Sequence, residues 1–393
     1  MSVLIVLLSL ALIVVVLWDA FETIVLPRRV TRRVRLTSLY YRVTWRPWRA
    51  FCLSIKTRKR REALLSVYGP LSLLALLSLW AITLIFSFAL LHWALGTQLQ
   101  TPDAQRGFGT YLYMSGVTFF TLGFGDVIPL MRLGRMLAVV EAGVGFGFLA
   151  LIIGYLPVIY QGFSAREVNI SLLDARAGTP PTASELLRRH GRNNDMAALN
   201  ELLKDWERWG AELMESHLSY PVLCYFRSQH DNQSWLSALA TILDTCTLVM
   251  VGIDSAPGWQ AQLTFAMARH AVVDISQIFS ADPRRRTDFA DRLCADELAR
   301  LRASLAADRV PLRDGADADE RLAQLRRMYE PYINVLAEFL AMPLPPWIHA
   351  KDVVDNWQTS AWETNPQRLA TMFEGVCGRD RRATAQPKEV PSK

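Results

Sequence analysis

Thr121-Leu122-Gly123-Phe124-Gly125-Asp126 is the stretch on which the reading of this chain turns. Gly123 and Gly125 stand at alternate positions, and glycine enters left-handed backbone regions without a Cβ clash. Such a stretch can alternate unusual φ/ψ angles and turn successive carbonyls toward one axis. A lone Gly-x-Gly is also a turn signal, so the setting carries the weight. The hexapeptide directly follows a short helix candidate, Gly109–Phe119, and lies between two apolar runs. Leu71–Leu95 contains no Lys, Arg, Asp or Glu, and Leu133–Tyr160 is interrupted only by Arg135 and Glu141. Each exceeds the about 20 residues that cross a bilayer as a helix. Irregular backbone at membrane depth is tolerated where it lines a wet cavity.

In that setting the hexapeptide resembles the T-V-G-Y-G-D selectivity filter of potassium channels. Span, re-entrant helix, filter, span is the pore module of the ion-channel superfamily, and the resemblance covers about residues 68 to 160. It implies that four chains replace the water shell of K⁺ with oxygens of Thr121, Leu122, Gly123 and Phe124. The Thr121 hydroxyl would lie at the inner mouth. Leu122 and Phe124 would wedge the loop against the preceding helix, and Asp126 would place negative charge at the outer mouth. The partially negative C-terminal end of that helix would face the cavity. Three positions depart from the family pattern. Phe124 replaces the commoner Tyr, Phe120 stands where a second Thr or Ser is frequent, and Val117 occupies a position where some members carry a buried acid. These departures bear on filter stability and inactivation more than on selectivity.

The second apolar run carries a further part of the resemblance. Gly134-Arg135 opens it, and Gly143, Gly145 and Gly147 follow. Aligned on the Gly-Arg pair, Gly145 matches the family's gating-hinge glycine, while Phe146, Leu149 and Ile153 match cavity-facing positions. Close helix packing is the other use for such glycines. Gly154 and Pro157 mark a bend toward the inner end, where gates often sit. Glu141 is costly inside an apolar span and is therefore a functional candidate. It either faces the pore or hydrogen-bonds behind the filter, and its place one position off the cavity-facing row favours the buried role.

A third apolar run, Val3–Pro27, reads as a signal anchor. It lacks a basic leading segment and a convincing small-residue cleavage site, and arginines follow it directly. Arg28 to Arg61 then carries 13 Lys/Arg and no acid, which places this loop in the cytoplasm. The N-terminus is thereby outside, the filter enters from outside, and the C-terminal region is cytoplasmic. Charge divides by region, with 16 Lys/Arg against 6 Asp/Glu before residue 161 and 27 against 31 from there on. The net charge of +6 is thus an orientation signal and gives no support to nucleic-acid binding. Cys52, Cys224, Cys246, Cys294 and Cys377 form no C-x-x-C and fall on the cytoplasmic side, where thiols stay reduced.

Within the basic loop, Tyr41, Trp45, Trp48 and Cys52 share one helical face beside Arg42, Arg46 and Arg49. This is an interfacial pattern, with rings at the headgroups and guanidinium groups on anionic lipid. A solvated basic linker is the plainer reading, and Pro47 opposes a continuous helix. The arginines lie outside the spans and do not form a voltage sensor. Asp19 and Glu22 are expected to pair with nearby arginines.

The rest of the chain reads as helical. Thr182-x-x-Glu185 is a capping box, Leu199, Leu202, Leu203, Trp206, Trp209 and Leu213 share a broad face, and Ser234 caps a helix through Ile253. Trp235–Ile253 is apolar enough for a span, but Ser237, Thr241, Asp244 and Thr245 argue for a buried helix. Trp259–Phe279, Asp288–Leu305 and Asp317–Met342, the last interrupted by Pro331, are further helix candidates. His230-Asp231-Asn232 reads as a polar loop ahead of a helix, and no nucleotide-binding or EF-hand pattern is present. The expectation is an all-α membrane protein: three transmembrane helices with a re-entrant pore helix and filter, then an all-α cytoplasmic domain. Its parts are an anchor over 1–27, a basic juxtamembrane segment over 28–66, a pore domain over 67–162, a helical domain over 163–378 and a disordered tail over 379–393. The expected function is passive K⁺ conduction by a homotetramer in the cell membrane, without cofactor or catalysis. A non-selective cation channel and a membrane-anchored signalling or scaffold protein with a vestigial pore are the alternatives.

Overall fold

The computed structural model describes residues 2–26, 35–102, 107–193, 195–230, 232–253, 256–279, 289–349 and 355–356. The expected tail over 379–393, Cys377, Asp231, the arginines between 28 and 33, and Asp288 lie outside the described residues. The described chain is predominantly helical, in the order α1 (Ser2–Ala20), α2 (Leu36–Ser54), α3 (Arg58–Ala94), α4 (Phe108–Phe119), α5 (Arg132–Ala177), α6 (Ala183–Asn193), α7 (Met196–Ser219), α8 (Trp235–Gly252), α9 (Gly258–Ile278), α10 (Ala295–Ala307), α11 (Ala316–Arg327) and α12 (Glu330–Leu340). A π-helical turn, Phe21–Val25, extends α1, and a 3-10 turn, Pro221–Tyr225, follows α7. Two short strands, β1 (Leu99–Gln100) and β2 (Ile128–Pro129), pair antiparallel.

The chain divides into two compact units: Met1–Ser164 with Glu215–Arg227, and Ala165–Met214 with Ser228–Lys393. The first unit is organised around α3, against which α1, α2, α4 and the 3-10 turn pack. Helices Ser2–Val25, Arg58–Ala94 and Arg132–Ala177 are each long and apolar enough to cross a membrane. Trp235–Gly252 also passes that test, but 89% of its apolar window is buried within the protein, against 17% for Arg132–Ala177.

Asp19 and Glu22 divide their partners. Glu22 faces Arg35 at 3.7 Å, as expected, and accepts from the Trp18 indole at 2.8 Å. Asp19 meets no arginine among the described residues. It accepts from the Thr37 backbone N–H at 3.1 Å, the Thr37 hydroxyl at 2.7 Å and the Trp80 indole at 3.2 Å. The carboxylate thereby supplies an acceptor to the first turn of α2, whose backbone N–H groups have no partner within the helix.

Part of the aromatic stripe of α2 is covered by the protein itself. Tyr41 and Trp45 are buried. Tyr41 stacks on Tyr225 at 5.4 Å, and Trp45 meets Tyr68 at 4.7 Å and Tyr225 at 5.1 Å. The stripe's amphipathicity is therefore spent on the protein itself, and Tyr225, far away in sequence, closes the cluster. Helix α2 also continues through Pro47. Arg42 and Arg46 point outward and are exposed, and Arg49 is half-buried.

In the second unit α8 is covered nearly all round, as an apolar core helix requires. Ser234 caps it, its hydroxyl accepting from Ser237 N–H at 3.0 Å. Asp244, buried in this helix, accepts two bonds from Arg292 at 2.7 and 3.3 Å and one from the Tyr329 hydroxyl at 2.5 Å. Arg292 and Arg326 both lie near the Trp347 ring, at 5.7 and 5.6 Å, and both bond Glu330. The expected capping box is half formed. Thr182 accepts from Glu185 N–H at 3.3 Å, while Glu185 turns outward to Arg188 and Arg189. Helix α10 starts at Ala295, later than expected, and Pro331 separates α11 from α12 by opening the latter.

Candidate functional site

The loop after α4 has the backbone that its glycines permit. Among residues 121 to 125, φ is positive at Thr121 (56°), Gly123 (62°) and Gly125 (77°), and negative at Leu122 and Phe124. Thr121 adopts this conformation despite its branched Cβ, a strained state of the kind found at functional sites. Positive and negative φ thus alternate along the loop. Two bonds back to the last turn of α4 fix the start of the loop: Thr121 N–H to Thr118 O at 3.0 Å, and Leu122 N–H to Val117 O at 2.9 Å. No described group donates to the carbonyls of Thr121 through Phe124.

Both flanks of the loop are tied down. The Tyr113 hydroxyl donates to Asp126 at 2.7 Å, and Asp126 also accepts from Val127 N–H at 3.0 Å. Beyond it, the β1–β2 pair joins Leu99 to Pro129 and Gln100 to Ile128. Arg135 donates to Pro129 O at 3.1 Å. Gly134 fits a narrow gap, since a Cβ there would stand 2.6 Å from Thr97 Cγ2 and 3.0 Å from Pro129 Cβ.

Behind the loop, α5 comes to backbone contact with α4. A Cβ on Gly145 would lie 1.9 Å from the carbonyl oxygen of Phe119. Gly143 and Gly147 face open space in the single chain. Of the three glycines, Gly145 is thus the packing residue. Phe119 is buried and meets Phe148 at 5.9 Å. Helix α5 continues through Gly154 and Pro157 as one element.

Glu141 takes the buried role rather than the pore-facing one. It is fully buried, and its Oε1 meets the hydroxyl of Ser115 on α4. Its Oε2 lies 3.8 Å from Nε2 of His92 on α3. Ser115 also bonds Ile85 O at 2.8 Å, and His92 Nδ1 meets the Thr97 hydroxyl at 3.2 Å. Ser115 and His92 went unread in the sequence. His92 is the titratable residue in an apolar run otherwise free of charge, which was the available signal.

The side chains of the loop itself differ from expectation. Leu122 and Phe124 are 55% and 67% exposed, so within one chain they wedge against nothing. Phe146, Leu149 and Ile153 are also exposed, at 68%, 51% and 65%, on the side of α5 away from the chain's own packing. Among the described residues no cluster of three or more His, Cys, Asp or Glu forms a metal-binding group.

A family model described as "Ion channel" matches residues 74–161, which include α4, the loop and the first part of α5. "Uncharacterized membrane protein YdjJ" of Bacillus subtilis (strain 168) is 24% identical over 195 residues, 48% of this chain and 55% of its own length. "Protein LctB" of Geobacillus stearothermophilus is 33% identical over 95 residues, 20% of this chain and 70% of that protein. "Protein LctB" of Bacillus caldotenax is 32% identical over 84 residues, 19% of this chain and 62% of that protein. The chain thus spans 55% of YdjJ and 62% of the second LctB. No solved structure matches it. The loop lies within the stretch that the family model covers, and the chain belongs to the ion-channel family.

Proposed function

We propose that the protein is a potassium-selective channel in which four copies surround one axis, each contributing residues 121 to 126 as a filter strand. The observation that carries this reading is the alternating backbone of Thr121–Gly125 with its unengaged carbonyls. Four such rows, with the Thr121 hydroxyl, would replace the hydration shell of K⁺ by oxygens of Thr121, Leu122, Gly123 and Phe124. One loop per chain closes a ring only with four chains. The exposed Leu122 and Phe124 side chains are then covered by a neighbouring copy, and Phe146, Leu149 and Ile153 line the cavity.

In this reading α1, α3 and α5 are the three spans and α4 is the re-entrant pore helix, while α8 belongs to the core of the cytoplasmic domain. Helix α3 is 37 residues long, about 55 Å, and exceeds the about 30 Å hydrocarbon core, so its basic start stands in the cytoplasm. The N-terminus lies outside and the helical C-terminal region inside, as the basic segment requires. Arg42 and Arg46 are free to meet anionic lipid. A bend of α5 at Gly145, or at Gly154 and Pro157, accompanies gating. No cofactor and no catalysis enter this function.

The test is a bi-ionic recording from purified full-length protein in a planar bilayer, with K⁺ on one side and Na⁺ on the other. The reversal potential follows K⁺ in this reading. Equal permeability to both ions would replace it with a non-selective cation channel. Absence of current would favour a scaffold with a vestigial pore.

A further inference from the structure

We propose that Glu141 is a positioning residue whose carboxyl proton decides whether Ser115 ties α4 to α3 or to α5. Ser115 is fully buried and its hydroxyl touches two oxygens, Ile85 O at 2.8 Å and Glu141 Oε1. The hydroxyl has one hydrogen to donate. A backbone carbonyl only accepts, so when Ser115 donates to Ile85 the proton between Ser115 and Glu141 must come from the carboxyl.

The remaining atoms fit that assignment in sequence. Glu141 Oε2 then has carbonyl character and faces His92 Nε2 at 3.8 Å. Both atoms are fully buried, and neither has a hydrogen-bond partner among the described residues. His92 Nδ1 meets the Thr97 hydroxyl at 3.2 Å. Donation then runs from Thr97 O–H to His92 Nδ1, from Glu141 Oε1–H to Ser115, and from Ser115 O–H to Ile85 O, while His92 Nε2 faces Glu141 Oε2 across 3.8 Å without a hydrogen bond.

Loss of the Glu141 proton reverses one link. The carboxylate then needs the Ser115 hydrogen, and Ile85 O gives it up. Helix α4 exchanges its tie to α3 for a charge-assisted tie to α5, four residues from the Gly145–Phe119 contact. Among the described residues, His92 Nε2 and the Ser115 hydroxyl are the polar groups that face the resulting carboxylate. From α3 the titratable group is His92. From α4, Tyr111 bonds Thr97 O and Tyr113 bonds Asp126. On α5, Arg135 is held by Pro129 O, and on α1, Asp19 is held by Thr37 and Trp80. An unpaired charge at this depth is costly, so a carboxylate left by proton loss must draw on the Ser115 hydrogen.

The inference rests on residues 121 to 126 being the conducting element, and the test separates the two. Full-length protein is reconstituted in phosphatidylcholine–phosphatidylglycerol vesicles, and open probability in symmetric K⁺ is recorded from about pH 5 to about pH 9, a range that brackets histidine and buried carboxyls. Infrared difference spectra over the same range follow the protonated-carboxyl stretch. The wild-type open/closed ratio is expected to fall about tenfold on the alkaline side as that band disappears. Glu141→Gln keeps a hydrogen to donate to Ser115 but cannot ionise. It should conduct at every pH, flatten the profile and lack the band. His92→Gln, which replaces the imidazole that faces Oε2, should move the midpoint of the profile. A flat wild-type profile, or an unaltered profile in Glu141→Gln, would overturn the proposal. Absence of K⁺ current at every pH with the band still titrating would instead overturn the channel reading and leave the proton assignment standing.

Discussion

Replacing Gly145 by alanine adds one methyl group where the structure has no room for it. The new Cβ would stand 1.9 Å from the Phe119 carbonyl oxygen, 2.7 Å from its carbon and 2.9 Å from its Cα. Real Cβ contacts essentially never fall below 3.0 Å, so the two backbones must separate by about 1 Å. No side-chain rotation can relieve a clash against main chain. Overpacking of this kind costs about 1–3 kcal/mol. Alanine returns about 1 kcal/mol through helix propensity. The net penalty reaches about 2 kcal/mol, and each 1.4 kcal/mol is a tenfold change in an equilibrium. Phe119 is two residues from Thr121, so the displacement reaches the loop directly. Gly145→Ala is therefore expected to lower unitary K⁺ conductance, raise relative Na⁺ permeability and reduce the thermal midpoint. Single-channel recording and thermal unfolding of the purified protein read these effects. Gly143→Ala and Gly147→Ala, which meet nothing within 4 Å in the chain, are the controls. Wild-type conductance, selectivity and thermal midpoint in Gly145→Ala would refute the contact.

Acid should destabilise the second unit. Burial holds His190 below its usual value, and at Asp308 the pull of Arg192 and Arg188 outweighs a burial that acts the other way, leaving its carboxyl below the ordinary range. Both folded-state values lie under the unfolded ones, so their stabilisation is present above the unfolded pKa and is lost as pH falls, beginning near about 6.5 for the histidine and about 4 for the aspartate. Thermal unfolding at successive pH values checks this, with Asp308→Asn flattening the acid end; a midpoint that rises on acidification would contradict it. Asp244→Ala removes the closest carboxylate from the buried Arg292, leaving it Glu330 and Pro345 O, and should cost about 3 kcal/mol, while Asp244→Leu combined with Arg292→Met should be milder, as denaturant unfolding would report. Asp19→Ala removes the acceptor for Thr37 and Trp80 and should cost about 1–3 kcal/mol in a detergent stability assay; an unchanged midpoint would show that those bonds contribute nothing.

The hexapeptide was legible because its demands are local. Alternate glycines and flanking apolar runs are properties of adjacent residues, and so are the Ser234 cap and the break at Pro331. What stayed hidden depends on residues far apart in the chain. Periodicity shows that one face of α2 is covered, but it cannot say by what. The stripe therefore read as membrane-facing until Tyr225 was found against it. Three glycines two residues apart are equivalent on paper, and only the approach of Phe119 singles out Gly145. The register of Glu141 sets it one position off the cavity-facing row, but the side chains that meet it come from α3 and α4. Asp19 was assigned to arginines by charge, whereas hydrogen-bond donors with no charge took it.

The return of Glu215–Arg227 to the first unit makes truncation a poor way to isolate the membrane part. A chain ending at Ser164 would contain α1 to α4 and the start of α5, but it would lack Tyr225, Phe226 and Arg227. Tyr41, Trp45 and Tyr68 would lose the ring that covers them. Gly69, on which the Phe226 ring lies, would face an empty groove, and Glu62 would lose its guanidinium partner. A graft of the first unit onto a different C-terminal domain would have to carry the 13-residue segment along as a separate insert, or supply an aromatic substitute in its place.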